Sequence, residues 1–249
     1  MSNIKINKVI IAGDKSMAEM PEDLNEAFKS LGHQSSFYHF YYNKLLHKLA
    51  WFFTNTPFRL TKNIGGIIMN YATLDINNKF IDYVQINKPE FVIIINGFSL
   101  KEDTILRLRN NGTKIVNWVV DDPARARFSN FSKALTCYDV IFCCSKNWLK
   151  YAEILSKDII YLPLAVNPNK YTKNKKTDYK FDICFIGTFT ENDSSSYFRY
   201  SQINHLINQG FKVRVAGKNA DRYFEKNKIN LTVGNQISIS EALKIYSES

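Results

Sequence analysis

A chain of 249 residues that is 45% hydrophobic and 14% aromatic carries enough apolar material for one large or two smaller cores, which excludes a disordered protein. The formal charge of +10 asks for anionic partners. The lysines are scattered, with no zinc-finger spacing, RNP-like aromatic motif or long basic helix, so a phosphate-bearing ligand or a membrane surface is favoured over nucleic acid.

The first apolar run, Val9 to Ala12, is too short for a signal-peptide core or a membrane span and reads as a buried strand. Gly13 follows it, a tight turn that brings backbone close to any ligand at that edge but lacks the companions of a dinucleotide fingerprint. Pro21, Glu22 and Asp23 then open a helix through Leu24, Phe28 and Leu31 that stops at Gly32. A second strand is predicted over Gln34 to Phe40.

From Ala27 to Leu74 there is no Asp or Glu, while Lys44, Lys48, Arg59 and Lys62 punctuate a dense apolar and aromatic stretch. Leu45, Leu49 and Phe52 fall on one side of a helix. Two readings stay open: a buried helix with solvated lysines, or an interfacial helix whose aromatics and lysines meet an anionic membrane.

Leu74 to Lys88 has helical spacing in Ile76, Phe80, Ile81 and Val84, and Pro89 closes it. Phe91 to Ile95 is an unbroken apolar strand ending on Asn96 and Gly97, and Ser99 with Glu102 has the spacing of a capping box for the next helix, which stops at Gly112. The central strand Ile115 to Val120 then runs into Asp121, Asp122 and Pro123. In an open α/β sheet that is the edge where ligands bind. The plainer alternative is a strand end whose aspartates cap the next turn. Adjacent side chains on an extended segment point apart, so chelation by both aspartates is disfavoured and no metal is expected.

A helix over Ser129 to Tyr138, a strand over Val140 to Cys144, a helix over Asn147 to Leu155 and a strand over Ile159 to Leu162 complete the pattern. Strands alternating with helices predict a parallel, doubly wound domain over residues 1–166. Residues 167–180 are polar and lysine-rich, a basic linker. Over 181–249 the pattern restarts with a strand ending on Gly187 and Thr188, a helix stopped at Gly210, a strand ending on Gly217 and Lys218, and a last amphipathic helix. Two such domains are expected to bind small ligands at strand carboxyl ends and between them.

The four cysteines lack C-x-x-C spacing, and Cys143, Cys144 and Cys184 lie in apolar runs, so reduced thiols in a cytoplasmic protein, at most peripheral on the membrane's inner face, are expected. His33, His39, His47 and His205 carry no metal or catalytic pattern, and Cys144–Ser145 lacks the G-x-S-x-G elbow of a hydrolase.

The ordered set NWVVDDP, VIFCCSKNWLKYAEIL, YLPLAVNPNKY and YKFDICFIGT, with Arg199 and VAGK after it, resembles the CgeB-like (spore-maturation) branch of group 1 glycosyltransferases from about Val92 onward. The resemblance implies the GT-B fold, two Rossmann-like doubly wound α/β domains. It also implies transfer of a sugar from a nucleotide-sugar to an acceptor, which is a glycan, a lipid-linked molecule or a protein, with no further cofactor. On that reading Gly187, Thr188, Arg199, Gly217 and Lys218 bind the donor diphosphate. Asp122 or Asp121 accepts the proton of the acceptor hydroxyl, and Gly13, Asn96 and Gly97 line the acceptor side. The family's donor-ribose acid lies beyond the last helix, so the second domain is expected to be incomplete. A non-catalytic binding or scaffold protein of the same fold is the alternative, with a nucleic-acid or membrane adaptor third.

Overall fold

Parallel strands covered on both faces need uninterrupted apolar runs, and this chain supplies them at Val9 to Ala12, Phe91 to Ile95 and Val140 to Cys143. The computed structural model describes residues 8–14, 20–41, 43–55, 59–121, 129–150, 158–170, 179–190, 194–224, 230–233 and 237–248. Two compact units emerge, Met1–Ala165 and Val166–Ser249.

In the first unit the elements are β1 (Val9–Asp14), α1 (Met20–Ser30), β2 (Ser35–Phe40), α2 (Lys44–Thr54), α3 (Arg59–Asn87), β3 (Phe91–Ile95), α4 (Glu102–Asn110), β4 (Lys114–Val119), α5 (Ser129–Leu135), β5 (Val140–Cys143) and β6 (Ile159–Tyr161). The strands form one sheet in the order β2-β1-β3-β4-β5-β6, every pairing parallel. Successive β1 side chains go to opposite faces. Ile10 and Ala12 join a core with Phe80, Ile81 and Val84 of α3, Ile105 and Leu108 of α4 and Phe131 of α5, while Val9 and Ile11 meet Leu24 and Phe28 of α1. The strand order reverses direction at β1, whose neighbours are β2 on one side and β3 on the other. Such a switch point leaves a crevice at the strand carboxyl ends.

Two expectations are corrected. The helix placed at Leu74 to Lys88 is the second half of α3, which starts at Arg59 and runs 29 residues. Gly65 and Gly66 lower the helix propensity of its first half, but Gly65 lets the backbone of α2 come close: a Cβ there would stand 2.8 Å from the Thr54 nitrogen and 2.9 Å from the Ala50 oxygen. The expected capping box at Ser99 and Glu102 does not form, because α4 begins two residues later with Lys101 as its N-cap residue and no side-chain cap of its own. Buried Asn77 of α3 takes over, its Oδ1 accepting from the Lys101 N–H at 2.9 Å and the Thr104 hydroxyl at 2.6 Å. The described start of the predicted helix at Asn147 is a 3-10 turn, Lys146–Trp148, capped by Ser145; residues 151–157 lie outside the described set.

The second unit carries β7 (Ile183–Ile186), α6 (Ser194–Asn208), β8 (Val213–Gly217), β9 (Asn230–Val233) and α7 (Ile239–Tyr246), with a parallel sheet in the order β7-β8-β9. Phe189, Ile203, Val213, Val215 and Phe224 form its core. At α7 a capping box does form, between Ser238 and Glu241. Beyond it the Glu248 carbonyl accepts the N–H groups of Lys180 and Phe181 at 2.9 and 3.0 Å, and the Glu248 carboxylate pairs with Arg214 of β8.

Candidate functional site

At the carboxyl edge of the first sheet, β3 ends on Asn96 and Gly97, both in the left-handed region with φ of 56° and 74°. Asparagine tolerates that region better than most residues, and here its side chain gains by it. Asn96 is fully buried; its Oδ1 accepts the Val120 N–H at 2.8 Å and the Asp121 N–H at 3.3 Å, and its Nδ2 donates to Asp121 Oδ2 at 3.0 Å. Asn96 thus holds the end of β4 and aims the Asp121 carboxylate. Its own carbonyl accepts from Asn117 Nδ2 at 2.9 Å, a buried amide in the middle of β4. Burial pushes the pKa of the Tyr138 phenol well above its ordinary value, while Asn117 pulls it the other way.

Gly13 lies at the end of β1, beside β3 at the switch point, where a Cβ would stand 3.1 Å from Pro21 Cγ and 3.6 Å from Ile95 Cβ. Its role is a close approach of β1 to α1. Gly97 is more confined still, since a Cβ would fall 2.6 Å from Ile94 Cγ2 and 3.3 Å from the Tyr138 hydroxyl. Asp14 closes β1 at the same edge, a carboxylate that the apolar run before it did not single out. Asp122 lies outside the described residues.

In the second unit the turns after β7 and β8 lie side by side. A Cβ on Gly217, whose φ is 142°, would overlap the Gly187 carbonyl oxygen, so this contact between two backbones requires glycine. The Gly187 N–H donates to the Ala216 carbonyl at 2.9 Å, and Phe189 N–H to the Lys218 carbonyl at 3.0 Å. Gly187 therefore supplies room for the turn, not the free N–H donor anticipated for a diphosphate. Arg199 of α6 donates to the Thr188 carbonyl at 2.8 Å. Buried Ser196 accepts the Thr190 N–H at 2.8 Å, Asn219 Nδ2 donates to the Phe189 carbonyl at 2.9 Å, and the Tyr223 hydroxyl to the Thr190 carbonyl at 2.9 Å. The segment 187–190 is fixed from four sides. Exposed Lys218 stands at its rim. Ser196, Asn219 and Tyr223 escaped the sequence reading because polar residues in a helix or turn carry no sign of which backbone they will meet.

His39, opposite Gly13 in the β1–β2 register, and Cys144, whose thiol donates to the Val120 carbonyl at 3.3 Å, also lie at the carboxyl edge of the first sheet. His39 Nε2 is 2.8 Å from Glu22 Oε1, joining β2 to α1, and His205 is exposed on α6. All four cysteines are free, and burial raises the Cys143 and Cys144 thiols above their ordinary range, which disfavours a nucleophilic thiolate. Among the described residues, no three His, Cys, Asp or Glu side chains gather as metal ligands would.

The fold of the whole chain is similar to that of Staphylococcus aureus MnaA in a co-structure with UDP, at a TM-score of 0.56 over 97% of this chain and 71% of that one, with 12% sequence identity. The fold is GT-B. The GT-B chain is similar in the same way to Glycyrrhiza uralensis UGT73P12, complexed with glycyrrhetinic acid 3-O-monoglucuronide, at a TM-score of 0.50 and 9% identity over 95% of this chain and 70% of that one. No protein-family model matches the sequence, and no curated protein matches it.

Proposed function

We propose that this chain is a glycosyltransferase that takes a sugar from a nucleotide-sugar donor. The observation that carries the reading is the pair of fixed turns after β7 and β8, where Thr188, Arg199 and Lys218 border a strand carboxyl edge. Anionic groups favour such edges. Lys218 and the Thr188 hydroxyl meet the diphosphate, and Arg199 holds the turn in register while its positive charge favours the departing nucleotide. Gly217 keeps the two turns in contact.

On the first unit the reading places the acceptor at the switch-point edge, beside Gly13, Asn96 and Gly97. The acceptor hydroxyl attacks the anomeric carbon as the bond from that carbon to the diphosphate oxygen breaks. The hydroxyl proton passes to Asp121 or Asp122, and the nucleoside diphosphate leaves with the bonding electron pair. Asn96 keeps Asp121 oriented for this step. The resemblance carried by the NWVVDDP and FDICFIGT segments supports the finer assignment to the CgeB-like branch.

The test titrates UDP, GDP and ADP against the protein by calorimetry, with Lys218→Ala and Arg199→Ala beside the wild type. One nucleotide is expected to bind and to lose roughly 10-fold in affinity in each variant, about the size of one charge-assisted contact. Sugar transfer or donor hydrolysis is then followed in Asp121→Asn and Asp122→Asn, one of which is expected to fall by roughly 100-fold or more with donor affinity retained. Nucleotide binding without any turnover of a sugar donor would favour the non-catalytic binding protein instead.

A further inference from the structure

A cleft of about 370 Å³ lies at the amino end of the first sheet, lined by Lys8, Lys29, His33, Gln34, Ser35 and Ser36. Lys8 directly precedes β1, Ser35 and Ser36 open β2, and Lys29 stands in the last turn of α1, so three elements converge there. The 6 residues of β1 span about 20 Å at 3.3 Å each. The length of a strand therefore separates this cleft from the edge at Gly13, Asn96 and Asp121.

Its walls are fixed by their own hydrogen bonds. Ser35 Oγ lies 3.0 Å from the Asn25 carbonyl oxygen and 2.8 Å from Asn25 Oδ1, so its proton is used in tying β2 to α1. The Val9 N–H donates to the Gln34 carbonyl at 2.8 Å. Near the end of α1 the Ala27, Phe28 and Lys29 carbonyls accept the Leu31, His33 and Gly32 N–H groups at 3.2, 3.0 and 3.0 Å, so these acceptors are already used.

What is left over is positive charge and donors. Lys8 Nζ donates to the Asn87 carbonyl at 2.7 Å and to Asn87 Oδ1 at 3.3 Å; both acceptors are neutral, so the tether holds the ammonium in place without cancelling its charge and leaves it a third N–H. Lys29 is exposed and has no ion-pair or hydrogen-bond partner among the described residues. Ser36 Oγ and His33 Nδ1 are buried atoms that also lack a partner there. A buried hydroxyl without an acceptor is costly, and a group bound in the cleft would relieve it. No Asp or Glu lines the cleft. Two ammonium groups match a phosphomonoester, which carries about −1.5 to −2 charge and three acceptor oxygens, whereas a carboxylate would balance only one of them.

We infer that the cleft at the amino end of β1 and β2 binds the phosphoryl group of a small phosphomonoester through Lys8, Lys29 and the Ser36 hydroxyl, with His33 and Gln34 beside it. Its volume is near the lower end of the roughly 300–1,000 Å³ of small-molecule sites, which leaves room for a small organic group beyond the phosphoryl. The inference rests on the first unit alone and stands whether or not the second binds a nucleotide.

The experiment titrates inorganic phosphate and glycerol 3-phosphate into the full chain and follows backbone amide chemical shifts, with acetate as the monoanion for comparison. Both phosphates are expected to shift the Lys8, His33, Ser35 and Ser36 amides, and acetate to bind at least roughly 10-fold more weakly. Lys29→Met is expected to weaken phosphate binding by roughly 10-fold, the size of one charge-assisted contact. Ser36→Ala is expected to weaken it by roughly 3-fold or more while the melting temperature of the unliganded protein holds or rises, because the variant removes a hydroxyl that had no partner. Lys133→Met, exposed on α5, is the control for net charge and is expected to bind like the wild type. No binding by either phosphate, equal affinity for acetate, unchanged affinity in Lys29→Met or Ser36→Ala, or an equal loss in Lys133→Met would overturn the inference. So would shifts confined to Thr188 and Lys218 and abolished by Lys218→Ala, which would place the anion at the turns of the second unit. Binding of a single-stranded oligonucleotide at these amides with no response to either phosphate would overturn it in favour of a nucleic-acid surface.

Discussion

Asn96 combines an uncommon backbone conformation, φ 56°, with complete burial and three side-chain hydrogen bonds to β4 and Asp121. Replacing it separates the two contributions. Asn96→Ala loses the hydrogen bonds and keeps a Cβ where glycine is preferred, so a loss of about 2–4 kcal/mol is expected in denaturant unfolding. Asn96→Gly loses the same bonds but relaxes the backbone, and is expected to be less damaging by about 1 kcal/mol. Equal losses would show that the conformation carries no cost. Tyr138 gives a pH signature at the same scale. Its phenol is pushed above the ordinary value of 10.0 by burial, so the folded state holds its proton longer than the unfolded one. The stabilisation is complete below pH 10.0 and is lost as pH rises from there toward the folded-state pKa. Tyr138→Phe is expected to flatten the alkaline limb of a pH series of melting temperatures.

Contacts between elements in both units rest on glycine backbones. Gly65→Ala would press a methyl group against the Thr54 and Ala50 backbone, and a loss of about 1–3 kcal/mol with loosened α2–α3 packing is expected, read by hydrogen exchange of α2. Gly217→Ala faces the Gly187 carbonyl in a conformation that only glycine adopts freely, so the second unit is expected to lose cooperative melting altogether. These contacts mark the limit of what the sequence tells. Strands such as Val9–Asp14 and Phe91–Ile95 were legible because parallel strands buried on both faces are apolar runs, and the ends at Gly32, Gly112 and Gly210 because each adopts positive φ. The first half of α3 was not legible, since its stability comes from α2 and not from its own residues. The α4 cap was misread because Asn77, 24 residues before the Lys101 N–H it accepts, supplies it. At the site, Asn96 and Asp121 were visible as polar residues after strands. The hydrogen bonds joining them across 25 positions were not.

Over the whole molecule, the two sheets divide the labour of the fold: six strands with a switch point in the first unit, three strands with two interlocked turns in the second. The second unit depends on its last described turn. Glu248 is only 18% exposed at its side chain and pairs with Arg214, so Glu248→Gln is expected to lower the stability of that unit by about 1–3 kcal/mol, measured as a shift in its melting transition. The same contact sets a timetable for synthesis. Every strand of the first sheet has been made by Tyr161, so that unit can form while the rest of the chain is still being translated. The second unit joins the backbone of Lys180 and Phe181 to that of Glu248, nearly its full length apart, and must wait for the ribosome to release that residue. Until then β7 stands as a finished strand without the carbonyl and carboxylate that secure its entry, exposed to whatever chaperone or protease meets the nascent chain first.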